Sequence, residues 1–170
     1  MKEVFTKYWL CNPADALGYK LERCEIGRIK YKPGKTCMVY YTLYLKNKMT
    51  HQEESQMVCA RFYPQGESAS RYAKAKNEIL VKPKMGAPIV HIPELESILW
   101  IFPNDRKLQH ITKLMDDTFL RNQLFPSLIS TYLGQEWKMT DLKHEFVHYA
   151  PEHTCTVRVH LQLKHTLEQT

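Results

Sequence analysis

The feature that most constrains this chain is a stretch of sequence that occurs twice. YKPGKTCMVYYTLYLK (31–46) aligns without a gap to YAPEHTCTVRVHLQLK (149–164). Tyr31, Pro33, Thr36, Cys37, Val39, Leu43, Leu45 and Lys46 recur as Tyr149, Pro151, Thr154, Cys155, Val157, Leu161, Leu163 and Lys164. These are eight identities in sixteen positions at a constant offset of 118 residues (149 − 31), a density that marks one supersecondary unit used twice. A Tyr-x-Pro turn followed by β-branched and aromatic residues reads as strand–turn–strand, so two copies of one hairpin are expected.

The repeat bears on the most conspicuous motif. His144-Glu145-Phe146-Val147-His148 matches H-E-x-x-H, in which two histidines one helical turn apart bind zinc and the glutamate activates a water. Its partner in the first copy is Ile26-Gly27-Arg28-Ile29-Lys30, a strand leading into the Tyr-x-Pro turn. Zinc binding by this motif needs a helix so that positions i and i+4 share a face, and Pro151 disfavours helix at Ala150. The longer zinc-peptidase form wants glycine where Pro151 stands and histidine where Thr154 stands, and His153 is one residue out of place. His144, His148 and His153 are therefore weak metal candidates, and a strand is expected at 144–148. A zinc-dependent hydrolase is retained as an alternative reading.

Between the copies the chain changes period several times. Residues 13–20 suggest a short helix, 28–47 and 56–64 read as strands, and ESASRYAKAKNEIL (67–80) places Ala69, Tyr72, Ala73, Lys76 and Leu80 at helical spacing. PIVHIP and SILWIFP are short strands. Asn104-Asp105 suggests an N-cap for a helix with an apolar face at Leu108, Ile111, Leu114 and Met115, and helical sequence continues to about Leu133. The expected fold is α+β: a twisted antiparallel sheet with one packed helix, then a helical segment and a second strand–turn–strand unit. Residues 1–135 form one domain with trailing helices, and 136–170 begin an incomplete second repeat.

Composition narrows the class. Of 170 residues, 44% are hydrophobic and 25% charged, which suits a globular chain with a core. The formal charge of +6 permits contact with anionic partners but does not specify one. Aromatic residues Tyr31, Tyr40, Tyr41 and Tyr44 among lysines leave an RNA-binding basic sheet as a further alternative, although no RNP-like G-F-G-F pattern occurs and nucleic acid is not the expected partner. Five dispersed cysteines (Cys11, Cys24, Cys37, Cys59, Cys155) without a C-x-x-C pair argue for reduced thiols. No apolar run approaches the ~20 residues of a membrane helix, and the expected location is cytoplasmic.

Taken in order, RIKYKPGKTCMVYYTL, VCARFYP, a helix and ILWIFPNDRKLQHITKLMD resemble the amino-terminal region of bacterial proteins of the aminoglycoside phosphotransferase and choline kinase-like group, within the protein-kinase-like superfamily. The resemblance covers about 25–116, with 142–164 as the start of a second unit. It implies a kinase-like small lobe whose first hairpin covers nucleotide phosphates and whose third strand carries a lysine that pairs with a helix glutamate, a position held by arginine in this chain. Those roles fall on Lys35, Arg61 and Glu78, and ATP is the cofactor implied. The turn Lys32-Pro33-Gly34-Lys35 holds one glycine rather than G-x-G-x-x-G, and no H-x-D, D-x-D or D-F-G segment occurs. The resemblance thus implies a non-catalytic, pseudokinase-like module with no catalytic residue, the regulatory or interaction part of a small-molecule phosphotransferase-like protein. Its expected partners are the remainder of a longer kinase-like chain continuing beyond Thr170, or a homo-oligomer formed through edge strands.

Overall fold

A computed structural model describes residues 1–10, 18–78 and 80–166. The chain is α+β and divides into two compact units, Met1–Arg106 and Lys107–Thr170. The helix expected over 13–20 lies largely outside the described residues, and Tyr19 and Lys20 already belong to the first strand.

In the first unit, helix α1 (Lys2–Tyr8) precedes β1 (Tyr19–Lys32), β2 (Thr36–Asn47) and β3 (Glu53–Phe62). Helix α2 (Ser68–Ala75) then leads to β4 (Ile89–Ile92) and β5 (Ser97–Ile101). The five strands form an antiparallel sheet in the order β1-β2-β3-β5-β4. Alternation along each strand sends side chains to two faces, and both faces are covered. On one, Val39, Tyr41, Leu43, Leu45, Val58 and Ala60 pack with Phe5, Trp9 and Leu10 from the amino-terminal segment. Phe5 meets Tyr41 edge to face at 5.2 Å. On the other, Met38, Cys59, Ile98 and Trp100 lie with Ala75 and Tyr72 of α2. Helix α1 has no counterpart among the elements expected from sequence.

Two expectations need correction. Helix α2 stops at Ala75 rather than near Leu80, because the Asn77 and Glu78 amides turn back to Lys74 O and Ala75 O, three residues away, and tighten the last turn. Asn104 is not an N-cap. It is buried, its Oδ1 accepts from Val81 N at 2.8 Å, and its Nδ2 donates to Val81 O and Ile101 O. It ties the segment after α2 to the end of β5, and the next helix, α3, begins only at Ile111.

In the second unit, α3 (Ile111–Leu114) is followed by α4 (Asp117–Phe119), a π-helical stretch (Leu120–Leu124) and α5 (Phe125–Tyr132). Asp116 caps α4 by accepting from Thr118 N at 2.9 Å. β6 (Trp137–Ala150) and β7 (Thr154–His165) form a two-stranded antiparallel sheet, and α5 packs on β6.

The repeat recurs in the backbone landmark by landmark. β6 and β7 begin and end 118 residues after β1 and β2 (137 − 19, 150 − 32, 154 − 36, 165 − 47). The turn bond Lys35 N→Lys32 O (3.1 Å) recurs as His153 N→Ala150 O (3.0 Å). The closing bond Lys48 N→Gly18 O (2.9 Å) recurs as Thr166 N→Glu136 O (2.8 Å). The left-handed turn position is Gly34 (φ 64°) in one copy and Glu152 (φ 58°) in the other. A register shift at Leu21/Arg23 recurs at Met139/Asp141, whereas the second shift differs, lying between Ile26 and Ile29 in one copy and between Phe146 and His148 in the other.

Gly86 locks the α1 side of the sheet. Its φ is +69°, and a Cβ there would overlap the Trp9 indole. Gly86→Ala is expected to destabilise the protein by about 1–3 kcal/mol, from left-handed strain plus displacement of the buried Trp9. Urea unfolding followed by tryptophan fluorescence reads this as a lower midpoint at unchanged slope.

Candidate functional site

The site is built on β3. Strand alternation places Cys59 and Arg61 on the α2 face, between Met38 and Ile98, the register partners of Arg61 on β2 and β5. Residues 71, 74, 75 and 78 recur at helical spacing and share one side of the α2 segment. Together with the sheet they enclose a cavity of about 180 Å³. Its floor is Ala75, Ile98 and Trp100. Its polar wall holds four cations, Arg61, Arg71, Lys74 and Arg106, against one carboxylate, Glu78. The Arg61 and Arg71 guanidinium groups lie 5.5 and 5.6 Å from the centroid of one ring, Tyr63, whose π face attracts both. Arg71 also meets Glu67 at 2.9 Å.

Four positive charges against Glu78, and against the Glu67 that pairs with Arg71, leave a net positive potential that low-dielectric walls focus. Such an arrangement attracts an anion, and guanidinium forks suit phosphate or carboxylate oxygens. The volume is below the roughly 300 Å³ at which pockets accept whole drug-sized ligands. It suits a small anion or one phosphate group better than an entire nucleotide.

A polar clamp sets α2 over this cavity. The Glu96 carboxylate, from the left-handed residue before β5 (φ 44°), accepts from Gly66 N at 2.9 Å and Ser68 N at 3.1 Å. It therefore serves the free amides at the start of α2 from 28 residues away. Ser68 Oγ and His91 Nε2 are 2.9 Å apart, and Tyr72 stacks on His91 at 5.1 Å. Ser68 is 2% exposed, so this contact anchors the helix and does not present a nucleophile.

The residues singled out from sequence divide into three places. Arg61 and Glu78 line the same cavity, Arg61 from β3 and Glu78 from the turn after α2. Lys35 lies in the β1–β2 turn and lines a separate groove of about 260 Å³ with Gly34, Thr36, Phe62 and Pro64. Tyr63 borders both spaces. His144, Glu145 and His148 lie in β6, with Glu145 joined to Arg158 of β7 at 2.6 Å and His144 Nδ1 3.7 Å from Asp117. At about 3.3 Å per residue the two motif histidines stand roughly 13 Å apart along the strand, too far to share one metal ion. His153 is exposed in the β6–β7 turn.

Sequence reasoning missed Arg71, Lys74, Arg106, Tyr63 and Trp100. The first two were legible, since 71, 74 and 78 fall on one helical face; the others join the site only through the sheet. No family model, curated protein or solved structure matches this chain. Among the described residues no helix is long and apolar enough to cross a membrane.

Hydrogen bonds from Ser68 and from the Gly66 and Ser68 amides hold the Glu96 carboxyl below its usual range near 4.5. A depressed carboxylate contributes stability that is fully present above its unfolded value and is lost as pH falls through the folded one. Glu96→Gln is expected to lower stability at neutral pH, with the difference from wild type shrinking below pH 4.5 as Glu96 protonates. Thermal melts of both proteins between pH 7 and 3 give this convergence; parallel curves over that range would exclude the cap.

Proposed function

We propose that this chain is a non-catalytic, kinase-like small-lobe module, the regulatory or interaction part of a small-molecule phosphotransferase-like protein, and that its cavity holds an anionic group. The observation that carries the reading is that Arg61 on the third strand and Glu78 after the following helix line one cationic cavity. The order of elements, three meandering strands, a helix and a returning pair with β5 beside β3, supports the small-lobe resemblance.

Binding without transfer is the chemistry these residues favour. Arginine in place of a lysine keeps the charge and gains a fork for oxyanions, but it does not reproduce a lysine's compact contact. The β1–β2 turn offers one glycine, so its backbone amides form no extended phosphate cradle. Phosphoryl transfer also requires a base aspartate and metal-holding carboxylates. The chain contains none of the H-x-D, D-x-D or D-F-G segments that supply them.

The purified chain is expected to release no phosphate from Mg-ATP above the blank. Pyrophosphate is expected to raise its melting temperature in a salt-sensitive manner. Arg61→Ala combined with Lys74→Ala is expected to weaken that binding about tenfold or more, as befits lost charge-assisted hydrogen bonds. Turnover of Mg-ATP that Arg61→Ala abolishes would replace this reading with an enzyme. Equal stabilisation of wild type and double variant by pyrophosphate would remove the anion site.

A further inference from the structure

The two hairpins are alike in backbone but unlike in what completes them. In the first unit the outer edge of β2 is occupied by β3 along its length, from Cys37↔Phe62 to Lys46↔Glu53. β7 is the counterpart of β2, and among the described residues it pairs only with β6. The apolar face shows the same deficit. Val39, Tyr41, Leu43 and Leu45 are 8% exposed or less, whereas their counterparts Val157, Val159, Leu161 and Leu163 are all only half-buried.

Charge specifies the chemistry of the missing strand. In the first hairpin Lys20 stands directly opposite Lys46, a cross-strand repulsion. Two carboxylates relieve it: Glu22, 2.9 Å from Lys20, and Glu53, which faces Lys46 from β3. The second hairpin repeats the repulsion as Lys138↔Lys164. Thr140 replaces the first carboxylate, and among the described residues no strand supplies the second. Both lysines are exposed.

We infer that the outer edge of β7 is an acceptor site for an extended peptide segment in the position β3 holds on β2. The segment pairs antiparallel to β7, sets apolar side chains opposite Val157 and Val159 as Ala60 and Val58 do opposite Val39 and Tyr41, and carries an acidic residue opposite Lys164 as Glu53 does opposite Lys46. Main-chain bonds supply the affinity and the alternating side chains the selectivity, the general mode of strand addition at an open sheet edge. The duplication alone carries this assignment, so the kinase-like reading stands or falls separately.

The probe is a fluorescent ten-residue peptide with the β3 sequence, residues 53–62, bearing Cys59→Ser, titrated with the full chain in an anisotropy measurement. Saturable binding is expected. A peptide with Val58→Pro and Ala60→Pro, which cannot complete the ladder, is expected to bind about tenfold or more weakly. A peptide with Glu53→Lys and Glu54→Lys is expected to bind the wild-type chain poorly and a Lys138→Glu/Lys164→Glu chain better than the parent peptide does. Because both lysines are exposed, the protein variant tests charge without touching a core, and the proline peptide tests the edge with the protein unchanged. Equal affinity for all three peptides, or a parent peptide indifferent to the lysine substitutions, would overturn the proposal. So would a chain that dimerises through β7 and is not dissociated by the parent peptide, which would make a second copy the occupant.

Discussion

β3 is the strand on which the first unit depends. It bonds to β2 from Glu53 to Phe62 and to β5 from Val58 to Phe62, so its backbone groups are satisfied on both sides over its second half. Alternation then assigns each side chain to one of two cores. Val58 and Ala60 face the amino-terminal segment, while Cys59 and Arg61 face α2. A slip of one residue would exchange these sets, bringing a guanidinium into the apolar layer around Phe5 and Trp9. That cost, a buried charge without compensation, fixes the register and thereby the place of Arg61. The cationic cavity follows from strand pairing before any ligand is considered.

The second determinant of the cavity is the attachment of α2. A helix of this length is marginal by its own propensity and is held by what it packs on. Ala75 and Tyr72 give it an apolar contact with the sheet, but the contact that sets its starting point is polar, through Glu96, Ser68 and His91. Glu96 occupies a left-handed conformation at the mouth of β5, a conformation side chains disfavour. Its carboxylate receives two amide bonds in return. With the start of α2 fixed to the β4–β5 hairpin, Arg71 and Lys74 turn toward Arg61, and four like charges surround one space. It is the clamp that brings them to the wall of one cavity.

Much of this was readable in the residues, and what was missed has physical reasons. The duplicated hairpin was visible because its signal is identity at a fixed offset, which does not depend on context. The strand at 144–148 followed from that alignment, against the apparent helix of an H-E-x-x-H motif. Helix α1 was not visible: seven residues with Phe5 as the single buried side chain offer almost no periodicity, and the sheet supplies what holds it. Asn104 was misread because an asparagine before an apolar-periodic stretch has the same local signature whether it caps the next helix or bonds to a distant backbone. Here Val81, 23 residues earlier, won that competition. Arg106 and Trp100 could not be assigned to the cavity from sequence, since neither shares a local spacing with α2.

The two copies of the hairpin separate what local sequence determines from what surroundings determine. Turn bonds, strand limits, a register shift and the left-handed turn position agree between them, although one copy lies within five strands and the other within two. The eight shared residues, from the Tyr-x-Pro turn to the closing Leu-x-Leu-Lys, are what the two ribbons have in common. Even Glu152 adopts the left-handed conformation that glycine provides in the first copy, so the turn tolerates a residue poorly suited to it. Burial behaves differently. Val39 and Val157 are the same residue at the same place in the repeat, yet one is enclosed and the other half open. Enclosure belongs to β3 and the amino-terminal segment, which the repeat does not contain. A duplicated ribbon thus keeps most of its shape and its apolar residues but not the cover that β3 and the amino-terminal segment give the first copy.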